Sequence, residues 1–466
     1  MIVSLTRTIL KGCKKIVSIT HIPQGIQHWL HKIFEEQKLS KQNTTILALD
    51  GVRACAIISV IIFHVNRTNN NNLWDWHADP LASSISTAGG AGVTLFFVLS
   101  GFLLFLPYAK ALLFSRRWPL ARTFYLRRAL RIMPGYYISL CALIFLSAPQ
   151  YLQPSKFTQL GLFLTLFMDS SRQTFRQLNG PYWTLAIEWQ FYLILPLLTL
   201  AILLVVRRFP LQHRLRAVTL CLFGIIVGGL LIRYLGIYFQ GNPTVTFLVP
   251  RPVLNVLLFF SFGVTGKYTE DFAVGMLASL CYVYAQSLAD EHRFNRILQR
   301  LSLWIWGGGI LILVFCAIWQ FQSTEPAWPF INPLMPVFTW LNEIILAFGY
   351  GACIIAILFG PPELQKLFTW RPLRWIGLIS YSLYIWHLPL IVFFQTHVEQ
   401  PYFPHLNHYI VYGLCWLWVL IVIVPFCVLY YACVERPGIL LGNRWRNKIE
   451  AKVLHPPKED TQAFIV

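Results

Sequence analysis

The sequence predicts an all-α, polytopic membrane protein of about ten transmembrane helices with two short re-entrant or interfacial segments. Composition is the first ground. Of 466 residues, 56% are hydrophobic and only 12% charged, against about 25% charged in an average soluble domain. Apolar runs near the length of about 17–25 residues that crosses a bilayer recur along the chain. Basic residues, finally, collect on alternate connections between those runs, as the positive-inside rule requires.

Ten spans are expected, at about 46–66, 90–113, 133–149, 184–206, 217–238, 268–288, 303–319, 335–359, 375–396 and 410–433. This threading puts 30 of the 38 Lys and Arg on one side and seven on the other, with Arg53 inside the first span. Letting only one of the stretches 157–168 and 253–266 cross would reverse later basic loops, so both are read as pieces that enter without crossing. Irregular backbone at that depth is tolerated only against protein or a wet cavity. Both termini then face the cytoplasm, and the location expected is the plasma membrane. The net charge of +19 follows from the same rule, with anionic lipid as the partner and no nucleic acid expected.

Residues 1–45 form a basic cytoplasmic segment without the apolar core and cleavage site of a signal peptide. Within it, "QHWLHKIFEE" suits an amphipathic surface helix. Residues 46–437 form the transmembrane domain, and 438–466 a cytoplasmic tail. The ten cysteines lie mostly singly in apolar runs, with no CxxC and no zinc-type Cys/His spacing. They read as small core residues, and no metal is expected.

The first span, "GVRACAIISVIIFHVNR", carries Arg53 and His64 eleven residues apart. Eleven residues turn a helix through three turns plus roughly 20°, so the two share a face about 16 Å apart along the axis. Asp50 lies one turn below Arg53 and could pair with it. Ionisable groups at membrane depth are costly, face the bundle interior and mark functional paths. The fourth span places Glu188 near the depth of His64, where a carboxylate would orient an imidazole acting as general base. Before the third span, Arg127, Arg128 and Arg131 offer guanidinium forks suited to phosphate. Ser100 in "VLSG" lacks a nucleophile-elbow setting. His387, in "ISYSLYIWHLPL", reads as a packed, hydrogen-bonded histidine rather than a catalyst.

In this order these motifs resemble the acyltransferase-3 family of integral membrane O-acyltransferases. The elements are "LDGVRACAIISVIIFH", "FFVLSGFLL", "RRALRIMP", "YWTLAIEWQFYLILP", "ISYSLYIWHLP" and "VERP", covering about residues 46–437. The resemblance implies transfer of an acyl group, commonly acetyl, from cytoplasmic acyl-CoA to a hydroxyl of a cell-surface glycan, glycolipid or secreted glycoside. It makes His64 the essential histidine, Arg53 its paired arginine and Glu188 the acidic residue. Arg127, Arg128 and Arg131 become the basic motif that binds the donor acyl-CoA, in most cases acetyl-CoA. Some family members append an extracytoplasmic hydrolase-like domain. This chain is expected to act without one, alone or with a separate extracytoplasmic partner enzyme.

Direct attack of the acceptor and relay through an acylated His64 both remain open. The acceptor is not legible, although the Asn-rich loop "NRTNNNNLWDWHADP" is placed to help select it. A rival class, a proton-coupled transporter or flippase, would use Arg53, His64 and Glu188 as a path for solute and protons.

Overall fold

The computed structural model describes residues 44–68, 79–289 and 291–454. The N-terminal segment, its amphipathic stretch and most of the Asn-rich loop lie outside the described residues. Every long element is a helix, and the described residues form no sheet. The first eight helices, in order, are α1 Thr44–Thr68, α2 Pro80–Thr87, α3 Gly92–Phe114, α4 Ala121–Ser147, α5 Phe157–Leu164, α6 Tyr182–Val206, α7 Leu211–Gly241 and α8 Arg251–Ser261. Then come α9 Thr269–Gln286, α10 Arg293–Gln322, α11 Met335–Phe359, α12 Pro362–Thr369, α13 Arg371–Leu378 and α14 Ser380–Phe394. Last are α15 His408–Trp418, α16 Val424–Tyr430 and α17 Arg436–Leu454, joined end to end by π-turns at Val419–Ile423 and Tyr431–Glu435.

Among the described residues, eight helices are long and apolar enough to cross a bilayer. The chain is a multi-pass membrane protein. Two of the ten expected spans differ from simple crossings. The ninth, expected from 375, is broken: α13 meets the helix starting at Ser380 at a 72° bend. The sixth, α9, is too polar to qualify, because Glu270 and Asp271 stand in its first turn. Yet both carboxylates are buried, since α9 runs through the middle of the bundle against α3, α7 and α11. A helix enclosed by protein can carry charge that lipid would reject, provided partners meet it. Arg233 of α7 supplies one, 2.5 Å from Glu270.

α9 comes close to α3 through glycine. A Cβ on Gly101 would stand 2.1 Å from the Phe272 carbonyl oxygen, and one on Gly275 would stand 2.0 Å from that of Val98. Only a missing side chain on each helix lets the backbones touch, as in small-residue packing between membrane helices.

The stretches 157–168 and 253–266 do not cross. They hold α5 and most of α8, of eight and eleven residues, or about 12 and 16 Å of helix, no more than about half a bilayer. The two lean on each other, with Phe167 stacked on Phe259 at 6.0 Å between centroids. The hydroxyls of Tyr136 and Tyr137 donate to the Phe163 and Leu164 carbonyls at 2.7 and 2.8 Å. Such bonds satisfy acceptors that a helix end leaves open.

The helix of the last expected span does not end at 433. The helix runs on to Leu454, and α17 packs along α4. Gly438 allows this, because a Cβ there would lie 2.1 Å from the Leu130 carbonyl oxygen. A π-turn stands before Pro437, with the Arg436 N–H bonded to the Tyr431 carbonyl five residues back, and such irregular turns suit a position where proline has no N–H to donate. Residues 438–454 are therefore helix against the bundle, and 455–466 lie outside the described residues.

Candidate active site

Two cavities meet inside the bundle. One is a narrow passage of about 80 Å³, lined by Arg53, Arg128, Arg131, Ser100 and Glu188 among others. The other is a chamber of about 1130 Å³, lined by His64, Arg67, Arg176, Trp183, Tyr268 and Glu343 among others. Among the described residues, Val93 and Tyr384 line both.

α1 joins the two cavities along one face. Its Arg53 end lies in the passage and its His64 end in the chamber, as the spacing of eleven residues requires. Asp50 accepts a hydrogen bond from Arg53 at 3.2 Å and lies 3.8 Å from Arg374. Close packing fixes this end of the helix. A Cβ on Gly377 would lie 1.9 Å from the Asp50 carbonyl oxygen, and one on Gly51 would lie 2.1 Å from that of Phe368.

α4 brings two of its three expected arginines to the passage. Arg128 and Arg131 line it, and the Arg128 guanidinium sits 5.8 Å from the centre of the Tyr192 ring. Arg127 does not line it. One residue turns a helix by about 100°, which rotates Arg127 toward α17, where Gly442 passes close to its backbone. The expected trio is therefore a pair joined by Arg53.

Glu188 is also in the passage rather than beside His64. Its Oε1 accepts from Ser100 Oγ at 2.6 Å and from the Tyr192 hydroxyl. The carboxylate thus faces the arginine cluster, and the expectation that it orients His64 is corrected. The Glu188 side chain shares the cavity of Arg53 rather than that of His64.

His64 instead meets His387. Its Nε2 lies 3.3 Å from His64 Nδ1, and the rings meet edge to face at 4.9 Å between centroids. His387 is fully buried behind His64. The hydrogen bonds assign the tautomers. His387 Nδ1 lies 2.9 Å from the Leu383 carbonyl oxygen. A carbonyl can only accept, so Nδ1 carries the hydrogen, and in the neutral ring Nε2 carries the lone pair. His64 Nδ1 faces that lone pair and, at 2.9 Å, the Val60 carbonyl. Two acceptors around Nδ1 place its hydrogen there. The basic lone pair of His64 is then on Nε2, the arrangement a general base needs.

Other polar groups of the chamber gave no clear signal in the sequence. Thr94 donates to Glu343 at 2.9 Å, and the Arg176 guanidinium lies 5.7 Å from the Trp183 ring centre. These contacts join residues far apart in the chain or carried on irregular loops, so no local spacing announces them. Among the described residues, no three His, Cys, Asp or Glu are grouped to hold a metal ion.

The fold and site define a helical membrane bundle in which an arginine-lined passage adjoins a chamber holding a histidine pair. The profile of the family described as an acyltransferase domain matches residues 46–433, and the chain belongs to this acyltransferase-3 family of integral membrane O-acyltransferases. It is 26% identical over 374 residues to the peptidoglycan O-acetyltransferase OatA of Listeria monocytogenes, covering 76% of this chain and 51% of the relative. It is 26% identical over 381 residues to the putative peptidoglycan O-acetyltransferase YrhL of Bacillus subtilis, covering 78% and 51%. With the O-acetyltransferase OatA of Staphylococcus aureus it shares 25% identity over 375 residues, 76% of this chain and 52% of the relative. The matched region thus spans about half the length of these curated relatives. No solved structure matches the chain.

Proposed function

We propose that this protein transfers an acetyl group from cytoplasmic acetyl-CoA to a hydroxyl of a cell-surface glycan, with His64 as general base. One observation carries the reading: the arginine-lined passage and the His64 chamber adjoin and share Tyr384 and Val93. The acceptor class comes from relatives named peptidoglycan O-acetyltransferases. The excess of Lys and Arg on the loops at the Arg128 end supports a plasma-membrane orientation with that end and both termini in the cytoplasm.

The residues divide the work by position. Arg53, Arg128 and Arg131 outnumber the Glu188 carboxylate in the passage, so the local field attracts the donor's phosphates. The passage is too narrow for a nucleotide, so it admits the thin pantetheine arm while the phosphates stay at the arginine end. His64 Nε2 takes the proton of the acceptor hydroxyl in the chamber. The hydroxyl oxygen bonds to the thioester carbonyl carbon, the carbon–sulfur bond breaks, and the proton on His64 passes to the departing thiolate. Such base catalysis contributes about 10²–10⁴-fold, and positioning supplies the rest.

The test is mass spectrometry of surface glycans from cells carrying wild type or His64→Ala. The acetyl mass should vanish in the variant while protein level and membrane insertion hold. Acetylation that survives the substitution, or solute movement without acetyl-CoA consumption, would overturn the assignment. Donor supplied alone, followed by a search for acetyl on His64, separates direct attack from relay: an acetylated His64 would exclude the direct route written above.

A further inference from the structure

Resting on the acyl-transfer reading, we infer that the Tyr384 hydroxyl is the hydrogen-bond donor to the thioester carbonyl oxygen as it takes on negative charge. Attack on a carbonyl needs a donor aimed at that oxygen as much as it needs a base. The three guanidiniums of the passage are poorly placed for it. Arg53 lies about 16 Å along α1 from the imidazole that activates the hydroxyl, and Arg128 and Arg131 share its cavity rather than that of His64.

Tyr384 is placed where they are not. Of the two described side chains lining both cavities, Val93 has no polar atom, so Tyr384 brings the hydroxyl. It stands one turn before His387 on α14, its ring 6.0 Å from that imidazole, and Phe96 braces it edge-on at 5.8 Å. Its hydroxyl meets Thr184 Oγ1. Thr184 in turn donates to the Pro181 carbonyl at 2.9 Å. With the threonine hydrogen spent there, Thr184 oxygen accepts and Tyr384 donates. The phenol proton is thus held on a neutral acceptor at the junction of the cavities. A carbonyl oxygen gaining charge is the stronger acceptor and draws that hydrogen bond to itself. No bond to Tyr384 forms or breaks, and the proton stays on the phenol throughout.

A purely structural latch between Tyr384 and Thr184 makes a different forecast, because Tyr384→Phe and Thr184→Val remove the same hydrogen bond. The test uses the full chain in nanodiscs with acetyl-CoA and soluble peptidoglycan fragments. Tyr384→Phe should lower kcat by about 10²–10³-fold, with KM for acetyl-CoA within about two-fold of wild type. Thr184→Val should keep kcat within about three-fold, since the donor survives. Equal losses in the two variants would establish the latch and overturn the inference, as would a Tyr384→Phe enzyme with wild-type kcat. If the wild-type chain transfers nothing, the acyl-transfer reading falls and this inference with it. If transfer requires His64 but not Tyr384, this inference falls alone.

Discussion

At the scale of single residues, the histidine pair makes the sharpest demand. Buried His387 contributes a lone pair and a locked hydrogen, and His64 is oriented through it. His387→Gln can still offer an amide oxygen to His64 Nδ1, whereas His387→Phe offers nothing. Acetyl transfer should therefore fall further in the phenylalanine variant, by about ten-fold or more relative to glutamine, with donor KM little changed in both. The arginines give a second contrast. Arg128→Ala should raise KM for acetyl-CoA by about ten-fold, the scale of one charge-assisted contact, while Arg127→Ala leaves it near wild type. Steady-state kinetics at varied donor concentration checks both.

The same residues mark what could be read in the sequence. The eleven-residue spacing of Arg53 and His64 encoded their common face, because helix pitch is a local rule. Helix pitch also separates Arg127 from Arg128, but which of the two faces inward depends on where α17 packs. Glu188 was placed on the right helix and given the wrong partner. Rotation about a helix axis is set by packing against α3 and α14, which no local pattern carries. His387 was recognised as hydrogen-bonded and missed as the partner of His64, since the two are 323 positions apart.

Among the elements, α3 and α9 show how glycine spacing becomes architecture. Gly101 and Gly275 each face a carbonyl of the opposite helix at a distance no Cβ tolerates. Gly275→Val should force the helices apart and destabilise the protein by about 1–3 kcal/mol, seen as a lower midpoint of thermal unfolding in detergent. Exposed Gly224 has open space where a Cβ would go, and Gly224→Ala should leave that midpoint unlowered. The helices themselves were legible as apolar runs. The 72° break before Ser380 and the continuation to Leu454 were not, because each depends on a neighbouring helix rather than on hydropathy.

On the scale of the whole molecule, the apolar runs and the two short stretches led to the same all-helical, multi-pass architecture as the structure. The part the sequence concealed is the interior layout: which polar side chains share a cavity. α9 illustrates the point, since its acidic first turn is acceptable only because other helices enclose it. That arrangement also governs biogenesis. A nascent segment so rich in carboxylates is poorly retained by lipid when it leaves the translocon alone, so it must wait for Arg233 on the preceding α7 hairpin before it can partition. Appended to a reporter with glycosylation sites, residues 269–286 alone should fail to integrate, whereas a stretch starting from α7 should do so.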